Sequence, residues 1–404
     1  MQYDILIIGG GAAGFFAAIN AAEMNPGSKI AILERGKEVL SKVRISGGGR
    51  CNVTHAEFLP KELVKNYPRG EKELRGPFHQ FMTGDTIAWF EERGIKLKIE
   101  EDGRMFPVSD TSETIINCFL SEAGRLKIQV HKSEAVKAIM WKDSLWEVGT
   151  QKSTLSASKV LIATGSNPKI WKLLEKLGHS ISPAVPSLFT FNIKDKRIAD
   201  LPGISTHAEV KVQGGKLQDE GPVLITHWGL SGPAILRLSA WGARELHDLD
   251  YNFKVEVNWL PGFSSEEILE KMKAIKFELA KQQVLKNAQF ELPKRLWQNL
   301  VIAANIEPAA TWADLNKEEL VGLSQQLTTA VFEVNGKSTF KEEFVTAGGI
   351  DLKEVNFKTF ESKLHNNLFF AGEVLNIDAV TGGFNFQNAW TGGFLAAKAM
   401  TSKT

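Results

Sequence analysis

Residues 3–34 constrain this chain more than any other stretch. Tyr3-Asp4-Ile5-Leu6-Ile7-Ile8 is a nearly continuous apolar run, as expected of a parallel strand buried on both faces. Gly9-Gly10-Gly11-Ala12-Ala13-Gly14 follows, then a small-residue helix through about Met24, halted by Asn25-Pro26-Gly27. A second apolar strand, Lys29 to Leu33, ends at Glu34. This is a strand–helix–strand unit. In the G-x-G-x-x-G spacing, Gly9 permits a tight turn. Gly11 lets the backbone approach a pyrophosphate, and Gly14 lets the helix pack closely on the sheet. The helix N-terminus, with Ala12 and Ala13 in its first turn, offers unpaired N–H groups and partial positive charge to phosphates. Glu34 and Arg35 stand at the end of the second strand. There a carboxylate accepts hydrogen bonds from a ribose diol and repels a 2′-phosphate. A bound dinucleotide is the expectation. Spacing alone leaves NAD and FAD both open.

Residues 5–22 imitate the core of a signal peptide. However, Asp4 precedes the run and no basic segment leads it, so it is read as fold, not export. No stretch has about twenty uninterrupted apolar residues, so no membrane span is expected. Lys plus Arg is 48 and Asp plus Glu is 47, a net charge of +1. That balance argues against a broad grip on nucleic acid, which needs clustered positive charge. Two cysteines, Cys51 and Cys118, make neither a disulfide framework nor a zinc cluster. A reducing, cytoplasmic setting and no metal are expected.

At 404 residues the chain has room for two or three domains. Residues 36–82 read as loop-rich around Gly47-Gly48-Gly49. Helices are expected over 86–93 and from Asp110-Thr111-Ser112-Glu113 to about Ala123. Strands cross 126–149, with a turn at Lys142-Asp143-Ser144. Lys159 to Ala163 is another buried-type strand, entering Thr164-Gly165. From about 188 the character changes. Strand-like runs at 188–193, 208–213, 216–225 and 251–259 precede a charged helical stretch, 264–328. In Leu230-Ser231-Gly232-Pro233, Ser231 reads as a helix cap and Pro233 as first-turn proline. Near 345 the buried style resumes, with a strand at Leu368–Ala371 and a last helix over 384–400. The expected architecture is α/β. Residues 1–187 and 345–404 form one domain, and 188–344 is inserted in it.

Four further segments carry a resemblance: Ile45-Ser46-Gly47-Gly48-Gly49-Arg50-Cys51-Asn52, Thr226-His227-Trp228-Gly229-Leu230-Ser231-Gly232-Pro233, Phe370-Ala371-Gly372-Glu373 and Thr381-Gly382-Gly383-Phe384-Asn385. With the N-terminal motif they span nearly the whole chain. The sequence resembles the glutathione-reductase-like flavoprotein superfamily. Within it, the chain is similar to the bacterial BaiN-like, YhiN-type (aminoacetone-oxidase-like) FAD-binding family. The resemblance implies FAD rather than NAD. It also implies a discontinuous Rossmann-like FAD-binding domain with an inserted β-barrel plus helical domain.

The resemblance implies that the loop of Gly47, Gly48 and Gly49 lies along the flavin. Its consecutive N–H groups suit an anion or a carbonyl-rich ring. Arg50 adds a fixed charge, with Lys42 and Arg44 nearby. Cys51 lacks a C-x-x-C partner and reads as a small packing residue, followed by Asn52. Ala163-Thr164-Gly165 resembles the second dinucleotide-contact turn. Gly372 allows close backbone approach, and Glu373 can bind ribityl or ribose hydroxyls. Gly382, Gly383, Phe384 and Asn385 open the final helix, whose N–H groups can face the flavin N1–C2=O edge, where negative charge collects on reduction.

His227 is the candidate proton-exchange residue, although a structural histidine is the commoner case; His55 and His79 have weaker claims. No second G-x-G-x-x-G appears. NAD(P)H is therefore expected only as a transient reductant at the flavin, or an organic substrate reduces it directly. The expected function is an FAD-dependent oxidoreductase moving a hydride between flavin and a small organic substrate held between the FAD domain and the insert. Family members are associated with reducing unsaturated steroid-like ketones or oxidising small amines. The competing readings are a flavin protein acting on a macromolecule such as tRNA, a non-catalytic regulator, and an NAD-binding dehydrogenase.

Overall fold

The computed structural model describes residues 1–338 and 345–402, so the expected end of the insert, at residue 344, lies outside the described residues. The chain divides into two units: Met1–Val185 with Lys341–Thr404, and Pro186–Phe340.

In the first unit, β1 (Gln2–Ile8), α1 (Ala12–Met24) and β2 (Ile30–Leu33) form the opening crossover. β1 and β2 run parallel, with Ile5 opposite Ile30 and Ile8 opposite Leu33. Side chains alternate between the faces of a sheet, so a strand buried on both faces must be apolar at every position. All of β2 and Ile5–Ile8 of β1 are buried. The parallel order is Gln129–His131, β2, β1, Thr154–Ile162, Leu368–Phe370. The edge of Thr154–Ile162 away from β1 is shared. Its first half pairs with the hairpin strand Leu145–Thr150, and its last three residues pair with Leu368–Phe370. The early and late parts of the chain are thus woven into one sheet, nine-stranded among the described residues.

The last helix, Phe384–Thr401, packs on α1 through residues that lack bulk. A Cβ on Gly393 would sit 3.0 Å from the Ala13 carbonyl oxygen and 3.3 Å from Ala17 N. Beside this contact, Trp390 is fully buried and donates its indole N–H to Val53 O at 2.9 Å. Its ring lies 5.2 Å from Phe16 and 5.6 Å from Phe119.

The stretch 36–82 is less loop-like than its composition suggests. It holds Ser41–Gly49, whose backbone leaves the helical region at Ser46, Gly47 and Gly48, and helices Pro60–Leu63 and Glu71–Phe78. Gly70, Gly76 and Pro77 punctuate the last of these and hide it, because such residues ordinarily mark turns. Among the described residues no helix is long and apolar enough to cross a membrane.

The second unit is built on an antiparallel sheet ordered Ala330–Asn335, Asn252–Asn258, Ser205–Val212, Gln218–Ile225, Gly229–Ser231, Thr190–Asn192, Lys337–Ser338. The two ends of this order are separated only by Gly336, whose carbonyl accepts from Asn192 N at 3.1 Å, so the sheet curls into a barrel. Helices Ser265–Glu278, Lys294–Ala303 and Lys317–Thr328 occupy the expected helical stretch. Trp259, Trp297 and Trp312 fill the core there. Ser231 is not the cap of the next helix. It sits in a strand and its hydroxyl accepts from Thr190 Oγ1 at 3.0 Å. Gly232 takes the cap position with φ +91°, where a Cβ would lie 2.8 Å from Leu224 N and Pro222 O. Only glycine fits there.

Trp390→Ala removes a buried ring and leaves the Val53 carbonyl unpaired. It should cost about 3–5 kcal/mol, read from equilibrium urea unfolding. A loss below about 1 kcal/mol would show that the cluster around Trp390 does not hold this unit together.

Candidate functional site

The glycines of the first turn are of two kinds. Gly9 has φ +117°, and a Cβ there would sit 2.3 Å from Ala163 O. A Cβ on Gly14 would sit 2.0 Å from Gly9 O. Both are closed in by the chain itself. Gly11 is different: a Cβ there meets nothing within 4 Å. Behind it α1 begins with no side-chain cap and no first-turn acid, so its opening amides have no helical carbonyl to reach. The middle glycine therefore borders open space lined by peptide N–H groups.

Glu34 is fixed from both sides. Gly10 N donates to Oε2 at 2.9 Å and Gly36 N to Oε1 at 2.7 Å. An ionised carboxylate has about four acceptor positions, so two remain for a ribose diol. Glu34, Arg35, Gly9 and Thr164 line one cavity of about 200 Å³, with Glu134 and Ala135 across from them. The turn Ala163-Thr164-Gly165 flanks Gly9, Ala163 N donating to Ile8 O at 2.8 Å. A Cβ on Gly165 would lie 3.6 Å from Glu373 Oε2, and Lys42 Nζ donates to that same oxygen at 2.5 Å. Gly372 has φ +75°, and a Cβ there would stand 3.4 Å from Ala13 Cβ and 3.9 Å from Ala389 Cβ. Lys42, Gly165, Gly372 and Glu373 thus converge with α1 and the last helix.

The second glycine cluster departs from expectation. Gly47, Gly48 and Gly49 have φ of +57°, +68° and +84°. Their φ values share one hand; the alternation of hand that an amide concavity needs runs from Gly49 through Arg50 (φ −95°) to Cys51 (φ +63°). Gly47 is instead a packing point, where a Cβ would lie 2.8 Å from the Phe106 ring. Arg50 is not an uncompensated charge. It donates to Glu100 at 2.6 Å, lies 3.6 Å from Asp110 and stacks 3.9 Å over Phe106. The Glu100 hydrogen bond holds its pKa above the ordinary value. Cys51 is fully buried, and burial pushes its thiol up to about 12, which makes it a packing group rather than a nucleophile.

The last helix opens under tight control. With its amide oxygen toward Gly383, Asn52 accepts from Gly383 N at 3.0 Å and donates to Thr54 O at 3.0 Å and Met105 O at 3.3 Å. Gly383 has φ +96°, and a Cβ there would be 2.5 Å from Thr54 O. Asn385 accepts from Ala379 N at 3.0 Å and donates to Ala379 O at 3.2 Å. The Phe384 ring lies 4.5 Å from His55. The side chains of Asn52, Phe384 and Asn385 are therefore committed to protein, and what the helix start can offer a ligand is its first-turn amides.

His55, which had only a weaker claim from the sequence, donates from Nδ1 to Gly382 O at 3.1 Å. Several other residues here gave no local signal in the sequence. Tyr67 donates to Phe384 O at 2.6 Å. Gln387, fully buried, accepts from Thr54 Oγ1 at 2.6 Å and Thr86 Oγ1 at 3.0 Å. Asp378, also fully buried, is ion-paired with Arg69. His227 belongs to the other unit. It is exposed on a turn closed by Thr226 N donating to Gly229 O at 2.8 Å.

A parallel sheet that opens on this crossover, with the last helix packed on α1 through Gly393, defines an FAD-dependent oxidoreductase of Rossmann type. The residues present fit that cofactor. The open face at Gly11 suits a pyrophosphate, the Glu34 cavity an adenosine ribose, and the amides after Gly383 the electron-rich edge of a flavin. The model of the HI0933-like protein Rossmann domain family matches residues 3–399, and the chain belongs to this family. A ribosomal RNA dihydrouridine synthase of Haemophilus influenzae is 30% identical over 99% of both chains. A 3-dehydro-bile acid delta(4,6)-reductase of Clostridium scindens is 28% identical over 98% of both. Among solved structures, the 3-ketosteroid-delta4-(5alpha)-dehydrogenase of Rhodococcus jostii superposes with a TM-score of 0.52, over 100% of this chain and 97% of that one. At 12% identity it shows the shared fold.

Gly11→Val puts a side chain into the open space without a backbone penalty, since Gly11 has φ −95°. FAD affinity should fall by roughly a hundredfold or more while the melting temperature of the apoprotein hardly moves. Unchanged FAD affinity in a titration would show that the pyrophosphate lies elsewhere.

Proposed function

We propose that this oxidoreductase adds hydrogen across a carbon–carbon double bond conjugated to a carbonyl group in a small organic molecule. The observation that carries the reading is the packing of the start of α1, at Ala13, on Gly393 in the middle of the last helix, with open amides at Gly11 on one helix and in the first turn after Gly383 on the other. This arrangement supports a reading in which one dinucleotide sets its pyrophosphate on the first amides and its flavin on the second. Bound FAD, once reduced by NAD(P)H, would supply a hydride from flavin N5. The chain does the rest. The α1 amides hold the pyrophosphate, Glu34 grips the adenosine ribose, and Glu373 with Lys42 and the turn at Gly165 holds the ribityl hydroxyls. The first-turn amides of the last helix stabilise the negative charge that reduction leaves on the pyrimidine edge.

The choice of a double bond rests on the relatives. A delta(4,6)-reductase of a 3-dehydro bile acid and a dihydrouridine synthase both saturate a ring double bond conjugated to a carbonyl. NAD(P)H is the transient donor, in the cytoplasm, and His227 is the candidate acid that returns the proton. A second reading places the same chemistry on a uracil within ribosomal RNA. It is favoured by the Haemophilus influenzae relative and by a synthase of the same name in Escherichia coli, 28% identical over 98% of both chains.

Mixed anaerobically with NADH or NADPH, the yellow protein should bleach, and an α,β-unsaturated ketone should restore its colour. His227→Ala should slow the second step while leaving bleaching intact. Flavin that ignores both nicotinamides, is reduced by an amine and makes hydrogen peroxide in air would sink the reductase reading. A gain of two mass units in a uridine-containing ribosomal RNA fragment, with no turnover of ketones, would select the second substrate.

A further inference from the structure

We infer that the Arg69–Asp378 ion pair is a positioning element for the flavin, setting the aim of the amides that open the last helix. The inference rests on the FAD reading above and adds residues outside the cofactor-contact set. Asp378 is fully buried, and the Arg69 side chain is 14% exposed. Arg69 Nε and Nη2 donate to the two carboxylate oxygens, fork to fork. The same two residues also form an antiparallel backbone bridge. On either side, Val380 N donates to Asn66 O at 2.9 Å and Tyr67 donates to Phe384 O at 2.6 Å. Gly70 has φ +99°, and a Cβ there would lie 2.8 Å from Ile377 Cγ1. Residues 66–70 therefore grip 377–384 at several points.

The grip reaches the helix start because the intervening loop moves as one body. The Asn385 amide ties both polar backbone groups of Ala379, closing 379–385 on itself. A displacement of Asp378 therefore carries Gly382 and Gly383 with it. Stability alone does not explain such a pair. The desolvation of two buried charges offsets most of their attraction, and apolar replacements are often neutral. What a planar fork adds is direction. A lysine keeps the charge at position 69 and loses the fork.

The test uses the FAD-loaded full chain, wild type against Arg69→Lys and Tyr67→Phe. Sulfite adds to flavin N5 and leaves negative charge on the pyrimidine edge, so its affinity reads how well that edge is stabilised. Both variants should keep FAD affinity within about threefold of wild type. Both should bind sulfite about tenfold more weakly, matched by a fall of about 30 mV in the two-electron potential. FAD-loaded variants with wild-type sulfite affinity and potential overturn the inference and leave the cofactor reading standing. So does a parallel loss of FAD binding and melting temperature in both variants, the mark of a merely structural role. A wild-type protein that binds no FAD overturns the cofactor reading and this inference together.

Discussion

The constraint on which the first unit depends is the contact between α1 and the last helix, made through small residues. Gly393 lies against the Ala13 carbonyl and Gly372 against Ala13 Cβ. Helices packed through small residues approach more closely than the usual 8–10 Å axis separation allows for larger ones. That closeness matters because each helix begins with amides its own turns cannot satisfy. The sheet serves this contact. Leu368–Phe370 pairs beside Thr154–Ile162 and delivers Gly372 to α1.

Around the contact, polar side chains are spent on holding backbone. Thr54, Thr86, Gln387 and Thr391 are all fully buried and hydrogen-bonded to one another, and Thr391 also donates to Phe81 O at 3.0 Å. A satisfied buried network of this kind rigidifies its surroundings, since each partner lost leaves an unpaired group in a low dielectric. The motif Thr381–Asn385 is thus a frame for amides. Its asparagine and phenylalanine spend their side chains on the protein itself.

What was legible in the sequence follows from how far each signal reaches. The opening crossover and the tight backbone packing at Gly9 and Gly14 lie within about thirty residues, and local periodicity with one spacing rule was enough to read them. The barrel strands and the charged helices were readable for the same reason. Ser231 was misread because a hydroxyl before a proline looks like a cap. The steric demand that makes Gly232 the cap comes from Pro222 and Leu224, on a neighbouring strand. Arg50 was read only as a fixed charge; its partners Glu100 and Asp110 lie in other segments and left no local sign. Tyr67, Arg69 and Gln387 find partners more than three hundred residues away. No spacing rule reaches that far, and a single sequence does not reveal such pairs.

The shared edge of Thr154–Ile162 has a consequence for biosynthesis. One half of that edge is covered at once by the neighbouring hairpin, while the other waits for Leu368–Phe370, roughly 200 residues later. At ribosomal speeds the delay is on the order of 10–40 seconds. Over that interval the nascent sheet carries a bare apolar edge, the geometry that invites intermolecular pairing. The intervening unit has its own core and can fold during the wait. The half-made Rossmann sheet cannot finish, which makes it the part of this protein with the greatest need of chaperone shelter.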